Sequence, residues 1–171
     1  MGKTDSPNVA AMSLQNRWLV FLLCGCFFSC EPIAVHEKHQ GFPDHCWKRS
    51  MPITGELEIS DSTAMYDVYL VLRHTDQYAF NNIYIDLRLQ TKKDTIVFAQ
   101  QSLLLGHDAT GWEGSGMDDI WEVRKRVNRA PISFNSVGSC RYVLKNIMSQ
   151  DPLCEVLSAG IRIEKCRPQS P

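Results

Sequence analysis

The sequence predicts an all-β fold, an antiparallel, jelly-roll-like β-sandwich, and three observations carry that expectation. Residues 83–90 alternate strictly: Ile83, Ile85, Leu87 and Leu89 fall between Tyr84, Asp86, Arg88 and Gln90. A period of two puts the aliphatics on one face of a strand and the polar groups on the other. About eight short runs of this kind follow one another with Gly, Pro, Asn, Asp or Ser between them. Beyond the apolar N-terminal segment, no stretch of ten residues or more keeps a helical period.

The chain has 171 residues, enough for one domain with a sizeable core. Its 44% hydrophobic and 22% charged content is that of a globular protein. Net charge is −1, and the densest basic run, Arg124-Lys125-Arg126 with Arg129, follows Asp118, Asp119 and Glu122. Such interspersion describes a solvated strand face, and no nucleic-acid partner is expected.

Taken from the N-terminus, the first element is an address. Residues 18–28 (WLVFLLCGCFF) form an uncharged apolar run of 11 residues behind Arg17. A spanning helix needs about 20, so the run fits the apolar part of an export signal. It ends at Phe27-Phe28-Ser29-Cys30, and the chain turns polar at Glu31. An apolar run, a small residue and a cysteine resemble the cleavage box of bacterial lipoproteins. Cys30 is therefore the expected lipidation site, with Cys26, in Leu23-Cys24-Gly25-Cys26, as the alternative. The expected division is a lipoprotein signal peptide over 1–29, a lipidated tether over 30–50 and a β-domain over 51–171. The tether holds His36, His39, Asp44, His45 and Cys46. Their spacing fits no closed zinc pattern, so the stretch reads as a polar spacer, with no metal or cofactor expected.

Ile53, Leu57 and Ile59 mark a short strand that ends at Asp61-Ser62-Thr63. Residues 66–73 (YDVYLVLR) are largely apolar on both faces, which suits a central strand. The polar stretch 74–82 separates them from residues 83–90, and these two runs form the central pair of the reading. Lys92-Lys93-Asp94 turns the chain into the β-branched and aromatic run 95–101. Leu103, Leu104 and Leu105 end at Gly106-His107-Asp108, and residues 110–117 (TGWEGSGM) set three glycines around one Trp. A weaker strand over 121–127 and a short one holding Ile132 and Phe134 follow. Gly138-Ser139 leads into 140–148, Asp151-Pro152 breaks the chain, one helical turn is expected within 148–157, and residues 161–165 close the fold.

Four cysteines lie after the leader: Cys46, Cys140, Cys154 and Cys166. An exported domain meets oxidising conditions, and four cysteines allow three connectivities. Cys140 begins one strand and Cys166 ends another. If those strands are antiparallel neighbours the two meet, and a Cys140–Cys166 bridge is expected.

Residues 66–75 (YDVYLVLRHT), Tyr78, Asn82-Ile83-Tyr84 and Asp94-Thr95 form a recognisable series. It continues through 111–116 (GWEGSG), Gly138, Tyr142 and 160–163 (GIRI). In this order the blocks resemble the gliding-motility lipoprotein H family (GldH) of the Bacteroidota, and they cover most of the chain after the leader. The extra cysteines and residues 150–158 depart from that pattern. The resemblance implies a lipid-anchored envelope protein, on the periplasmic side of the outer membrane, that supports the gliding apparatus and its linked type IX secretion system. Its partners would be the membrane, through the lipid, and other envelope proteins of that machinery. It brings no catalytic residue and no cofactor.

Ser115 lies between Gly114 and Gly116, but Glu113 and Met117 stand where a nucleophile elbow needs its glycines. No Lys follows to make a phosphate loop. A tight turn with Trp112 packed over an edge is the reading, and no enzyme is expected. A candidate interaction surface of Tyr69, Arg73, His74, Tyr78, Tyr84 and Trp112 supports a second class of function, an envelope module binding glycan or peptide. Arg73 is expected to pair across the sheet with Asp67 or Asp86.

Overall fold

The computed structural model describes residues 35–166. The expected signal peptide, Cys26 and Cys30 lie outside the described residues. Among the described residues there are thirteen strands and no helix. In chain order they are β1 (Val35–Gly41), β2 (Cys46–Trp47), β3 (Ile53–Ile59), β4 (Tyr66–Thr75), β5 (Asn82–Gln90), β6 (Thr95–Leu104), β7 (Gly106–His107) and β8 (Gly111–Trp112). Then come β9 (Ser115–Met117), β10 (Ile120–Arg126), β11 (Gly138–Asn146), β12 (Leu153–Cys154) and β13 (Val156–Lys165).

The long strands pair as one hairpin rolled on itself. β1 pairs with β13, β3 with β11, β4 with β10 and β5 with β6, all antiparallel. Rolling brings β13 onto β4 and β11 onto β5, which gives a sheet ordered β1-β13-β4-β10-β9 and another ordered β3-β11-β5-β6. This is the eight-stranded jelly roll. The inner faces share one core, in which Val68, Leu70 and Leu72 of β4 meet Ile83, Ile85, Leu87 and Leu89 of β5 with Ile161 and Ile163 of β13. The alternation read at 83–90 is the observed one, with the aliphatics buried and Tyr84, Arg88 and Gln90 exposed.

Four expectations are corrected. The two central runs are not partners: β4 and β5 lie in opposite sheets, because a rolled hairpin sends the consecutive long strands of each arm to alternate layers. The stretch read as a spacer folds: β1 lies along β13, and Trp47 is buried and stacks on Phe42 with ring centroids 5.6 Å apart. The β-domain thus reaches back to Val35 rather than starting at Met51, since the rolled hairpin needs a first strand to cover β13. No helical turn occurs in 148–157; a cis Asp151–Pro152 peptide leads into β12 and a bulged β13.

The fourth correction concerns the disulfide. Cys46 and Cys154 are register partners on β2 and β12 and form the bridge, with an S–S distance of 2.04 Å. Cys140 and Cys166 are free thiols. The expected pair fails because β11 and β13 are not neighbours: Cys140 points into the core opposite Leu57, while Cys166 follows the last residue of β13 in the other sheet. Burial pushes the Cys140 thiol up to about 11, against a smaller opposing effect from the backbone of Gln90.

One end of the sandwich is closed by residues 127–137. Asn128, buried, accepts the Val68 backbone N–H at 2.8 Å and donates to the carbonyls of Tyr66 and Ala130. Phe134 then packs edge-on to Tyr66 at 5.3 Å. The register generates a direct test. Leu87→Asp should destabilise the domain by roughly 3 kcal/mol or more, because it buries an unpaired carboxylate. Arg88→Asp, one residue on and exposed, should stay within about 0.5 kcal/mol of the parent. Denaturant unfolding of both variants checks this, and equal midpoints would contradict the assigned faces.

Candidate functional site

The glycine-bracketed stretch and the end of β4 come together. β4 turns its even-numbered side chains inward, so His74 follows Leu72 into the core and is fully buried. Residues 106–112 fold back as the β7–β8 ladder, which sets Trp112 edge-on to the His74 ring at 4.5 Å. Tyr78 completes the cluster, 5.3 Å from His74 and 6.2 Å from Trp112, with Phe80 edge-on behind it at 5.8 Å. Gly106 faces Trp112 so closely that a Cβ there would lie 2.9 Å from the indole. The small residue and the Trp are thus two halves of one packing arrangement.

The polar atoms of this cluster are largely committed. The His74 Nδ1–H donates to the Thr75 carbonyl at 2.8 Å, and Nε2 is buried with no hydrogen-bond partner among the described residues. Burial holds the imidazole pKa below its ordinary value, against a smaller upward effect of the Thr75 carbonyl, so the ring is neutral. Burial also pushes the Tyr78 phenol well up. The Tyr78 hydroxyl donates to the Asn82 carbonyl at 3.2 Å, and the Thr75 hydroxyl donates to Glu155 at 2.6 Å. Glu155, at φ 64, also accepts the Thr75 N–H through its backbone carbonyl. Chemically this is a packed seal over the end of the sandwich.

Ser115 stands on the three-residue edge strand β9, exposed and opposite Glu122. Its hydroxyl has no hydrogen bond to a base among the described residues. His107 instead pairs with Glu113 at 3.2 Å, and the other oxygen of Glu113 pairs with Lys125. Lys125, then His107, hold the Glu113 carboxyl below its ordinary value. Gly114 has φ +95, and a Cβ there would sit 2.2 Å from the Glu122 carbonyl oxygen. Gly116 lies under the Trp121 ring, 2.9 Å from where its Cβ would be. Two glycines flank Ser115 because the hairpin β9–β10 closes tightly there.

The six residues proposed from sequence as one interaction surface do not form one. His74, Tyr78 and Trp112 meet, as buried or half-buried packing. Tyr69 and Arg73 point outward from the five-stranded sheet, and Tyr84 outward from the four-stranded sheet. Arg73 binds neither Asp67 nor Asp86. Its Nε donates to Glu122 at 2.9 Å, because β10 is the strand that lies beside it. Glu122 also receives Arg124 at 3.1 Å. Burial pushes the Glu122 carboxyl up, but the two guanidiniums outweigh it and the net shift is downward. Arg126 pairs with Asp67, and Arg162 with Glu37 at 2.9 Å and with Glu164. This is the solvated strand face expected from the interspersed charges, and what the sequence did not give is which carboxylate each cation meets. Its signal was the alternation Glu122, Arg124, Arg126, which in a strand puts all three on one side.

The family described as GldH lipoprotein matches residues 34–163, nearly the whole of the described fold. A gliding motility lipoprotein GldH of Flavobacterium johnsoniae is 27% identical over 116 residues, covering 65% of this chain and 69% of the relative. A gliding motility lipoprotein GldH homolog of Christiangramia forsetii is 23% identical over 150 residues, covering 81% of this chain and 88% of the relative.

Two outcomes are expected from the geometry. Gly114→Val should cost ~3 kcal/mol or more, from a β-branched residue at positive φ and a backbone clash, while Ser115→Ala should leave stability unchanged within about 0.5 kcal/mol. Thermal melts of both variants check this. The second outcome concerns pH. Because the folded His74 pKa is depressed from 6.5, the unfolded chain binds the proton more readily. Its contribution is fully present above 6.5 and is lost as pH falls from there toward the folded value. The melting temperature should therefore drop between pH 7.5 and 5.5, a window above the ordinary carboxylate range, and drop less in His74→Phe. Parallel pH profiles for the two proteins would exclude His74 as the source.

Proposed function

The chain belongs to the GldH lipoprotein family, and on that footing we propose that it is a membrane-anchored, non-enzymatic component of the cell envelope that supports gliding motility and the linked type IX secretion system. The observation that carries this reading is the match over 34–163, which runs from the first described strand into the last. In this reading Cys30, with Cys26 as the alternative, carries the lipid that holds the domain at the membrane, on the periplasmic side of the outer membrane. A single acyl chain gives only marginal binding, so stable anchoring requires more than one. The domain's partners are then other envelope proteins of the motility and secretion machinery.

The experiment is a deletion strain complemented with variants and scored for surface spreading and for secretion of cargo. The parent and Ser115→Ala should restore both readouts. Cys30→Ser should restore neither and should leave the membrane fraction. If the deletion changes neither spreading nor secretion, the assembly role is wrong. If Cys30→Ser still takes up a palmitate probe while Cys26→Ser does not, the lipid is on Cys26.

A further inference from the structure

The four sheet edges of this sandwich are built differently. β1 (VHEKHQG) and β3 (ITGELEI) carry charged side chains, and β9 is three residues long. Charges and shortness are the usual protections of an edge against pairing with another chain. The fourth edge, β6 (TIVFAQQSLL), is ten residues long and has no charge and no proline. Val97 is 53% exposed and Leu104 39%. Ile96 and Phe98 pack on the core but remain half-exposed at its rim. The bulge at Gln100, φ 50, and the Gln101 amide on the Ala99 carbonyl at 2.8 Å are its only visible interruptions among the described residues.

The outer face beside this edge is unlike the other sheet's. The cations Arg73, Arg124, Arg126 and Arg162 of the five-stranded sheet all meet carboxylates. On the four-stranded sheet Arg88, Arg141 and Lys145 are exposed around Val143, and none has an ion pair among the described residues. The nearby carboxylates make hydrogen bonds rather than ion pairs among the described residues. Asp86, opposite Lys145, accepts the Gln100 N–H at 2.7 Å. Glu56, opposite Arg141, accepts the Ser139 hydroxyl at 2.9 Å. These three cations, with Asp86 as the one carboxylate among them, line a shallow cleft of about 390 Å³ whose apolar walls are Val97, Ala99 and Val143.

We propose that the β6 edge is a strand-addition site for an extended segment of a partner protein in which acidic and apolar residues alternate. An added strand would lie ~4.8 Å beyond β6. Its inward residues would cover the half-exposed flanks of Ile96 and Phe98. Its outward residues would sit beside Val97, directly across which lies Arg88. Two strand spacings, roughly 10 Å, are within the combined reach of an arginine and a carboxylate side chain. Arg141 and Lys145, one strand further in, add to the positive field. A second copy of this chain is the poorer occupant, because it would set the same excess of cations, three against the one carboxylate of Asp86, on both sides of the seam. This goes beyond the assembly role proposed above, and its test does not depend on spreading or secretion.

The test uses the full chain in neutral detergent micelles and fluorescein-labelled ten-residue peptides read by anisotropy. A peptide alternating Val and Asp should bind at least about tenfold more tightly than one alternating Val and Lys. Arg88→Glu should weaken the Val-Asp peptide by about tenfold, while Arg124→Glu, on the other sheet, should not. The Val-Asp peptide N-methylated at every residue cannot donate to the ladder and should lose at least tenfold. No binding of the Val-Asp peptide, or equal binding of both peptides, would overturn the proposal. Full binding of the N-methylated form would reduce the site to charge alone and also overturn it. A sedimenting dimer that the Val-Asp peptide does not dissolve would assign the edge to a second copy instead.

Discussion

Everything in this domain depends on β4 finding two partners from the far end of the chain. β10 lies on one side of it and β13 on the other, both antiparallel. Its inward residues are Tyr66, Val68, Leu70, Leu72 and His74, so a slip of one residue against either neighbour would exchange the core for Asp67, Tyr69 and Arg73. Such a slip is opposed at both ends. At the start, Asn128 grips the Val68 N–H and the Tyr66 carbonyl. At the finish, the Thr75 N–H and hydroxyl both bind Glu155, and Trp112 closes over His74. Two blocks of the family resemblance, 66–75 and 111–116, thus fall on the strand that sets the register and on the loop that locks it.

The same pairing explains the disulfide. In a rolled hairpin the outermost ladder joins the first strand to the last, and β2 and β12 lie beside that ladder. Bridging Cys46 to Cys154, 108 residues apart, restrains nearly the whole fold at its open end. In the chain-entropy account a loop of this size contributes on the order of 4 to 5 kcal/mol. The bridge also suits an exported domain better than a cytosolic one.

Strands and their faces were legible in the sequence because alternation is local. Ile83, Ile85, Leu87 and Leu89 announce a buried face without reference to any other residue. The apolar character of both faces of β4 likewise marked it as central, since Val71 on its outward side is buried too. Most partners were not legible, because away from the tip of the hairpin jelly-roll neighbours are distant in sequence and consecutive long strands change sheets. That one fact accounts for the separation of β4 from β5, the misassigned cysteines and the wrong acid for Arg73. The tether was misread for a related reason: the residues of β1, His36 to Gln40, are polar because they form an edge, and an edge strand lacks the apolar alternation that reveals an interior one. At the candidate site, the role of the glycines around Ser115 could be read from local chemistry, whereas the burial of His74 and Tyr78 depends on a loop thirty or more residues downstream.

Rolling a hairpin into two sheets fixes how many edges there are but not how they are finished. The first described strand, β1, and the strand at the hairpin's tip, β6, each lie at an edge, because the roll places no further described strand beyond them. The sequence protects β1 with His, Glu and Lys and protects β3 with two glutamates. It spends no charge on the tip, although its length gives an incoming chain the most backbone to pair with. An unprotected edge of this size is an aggregation hazard in any protein. Retaining it beside three cations that have no ion pair among the described residues is coherent when an acidic extended chain meets that edge, which would supply both the missing ladder and further counter-charge. The fold alone requires neither the bare edge nor those cations, so their coincidence on one flank points to a demand that comes from outside the domain.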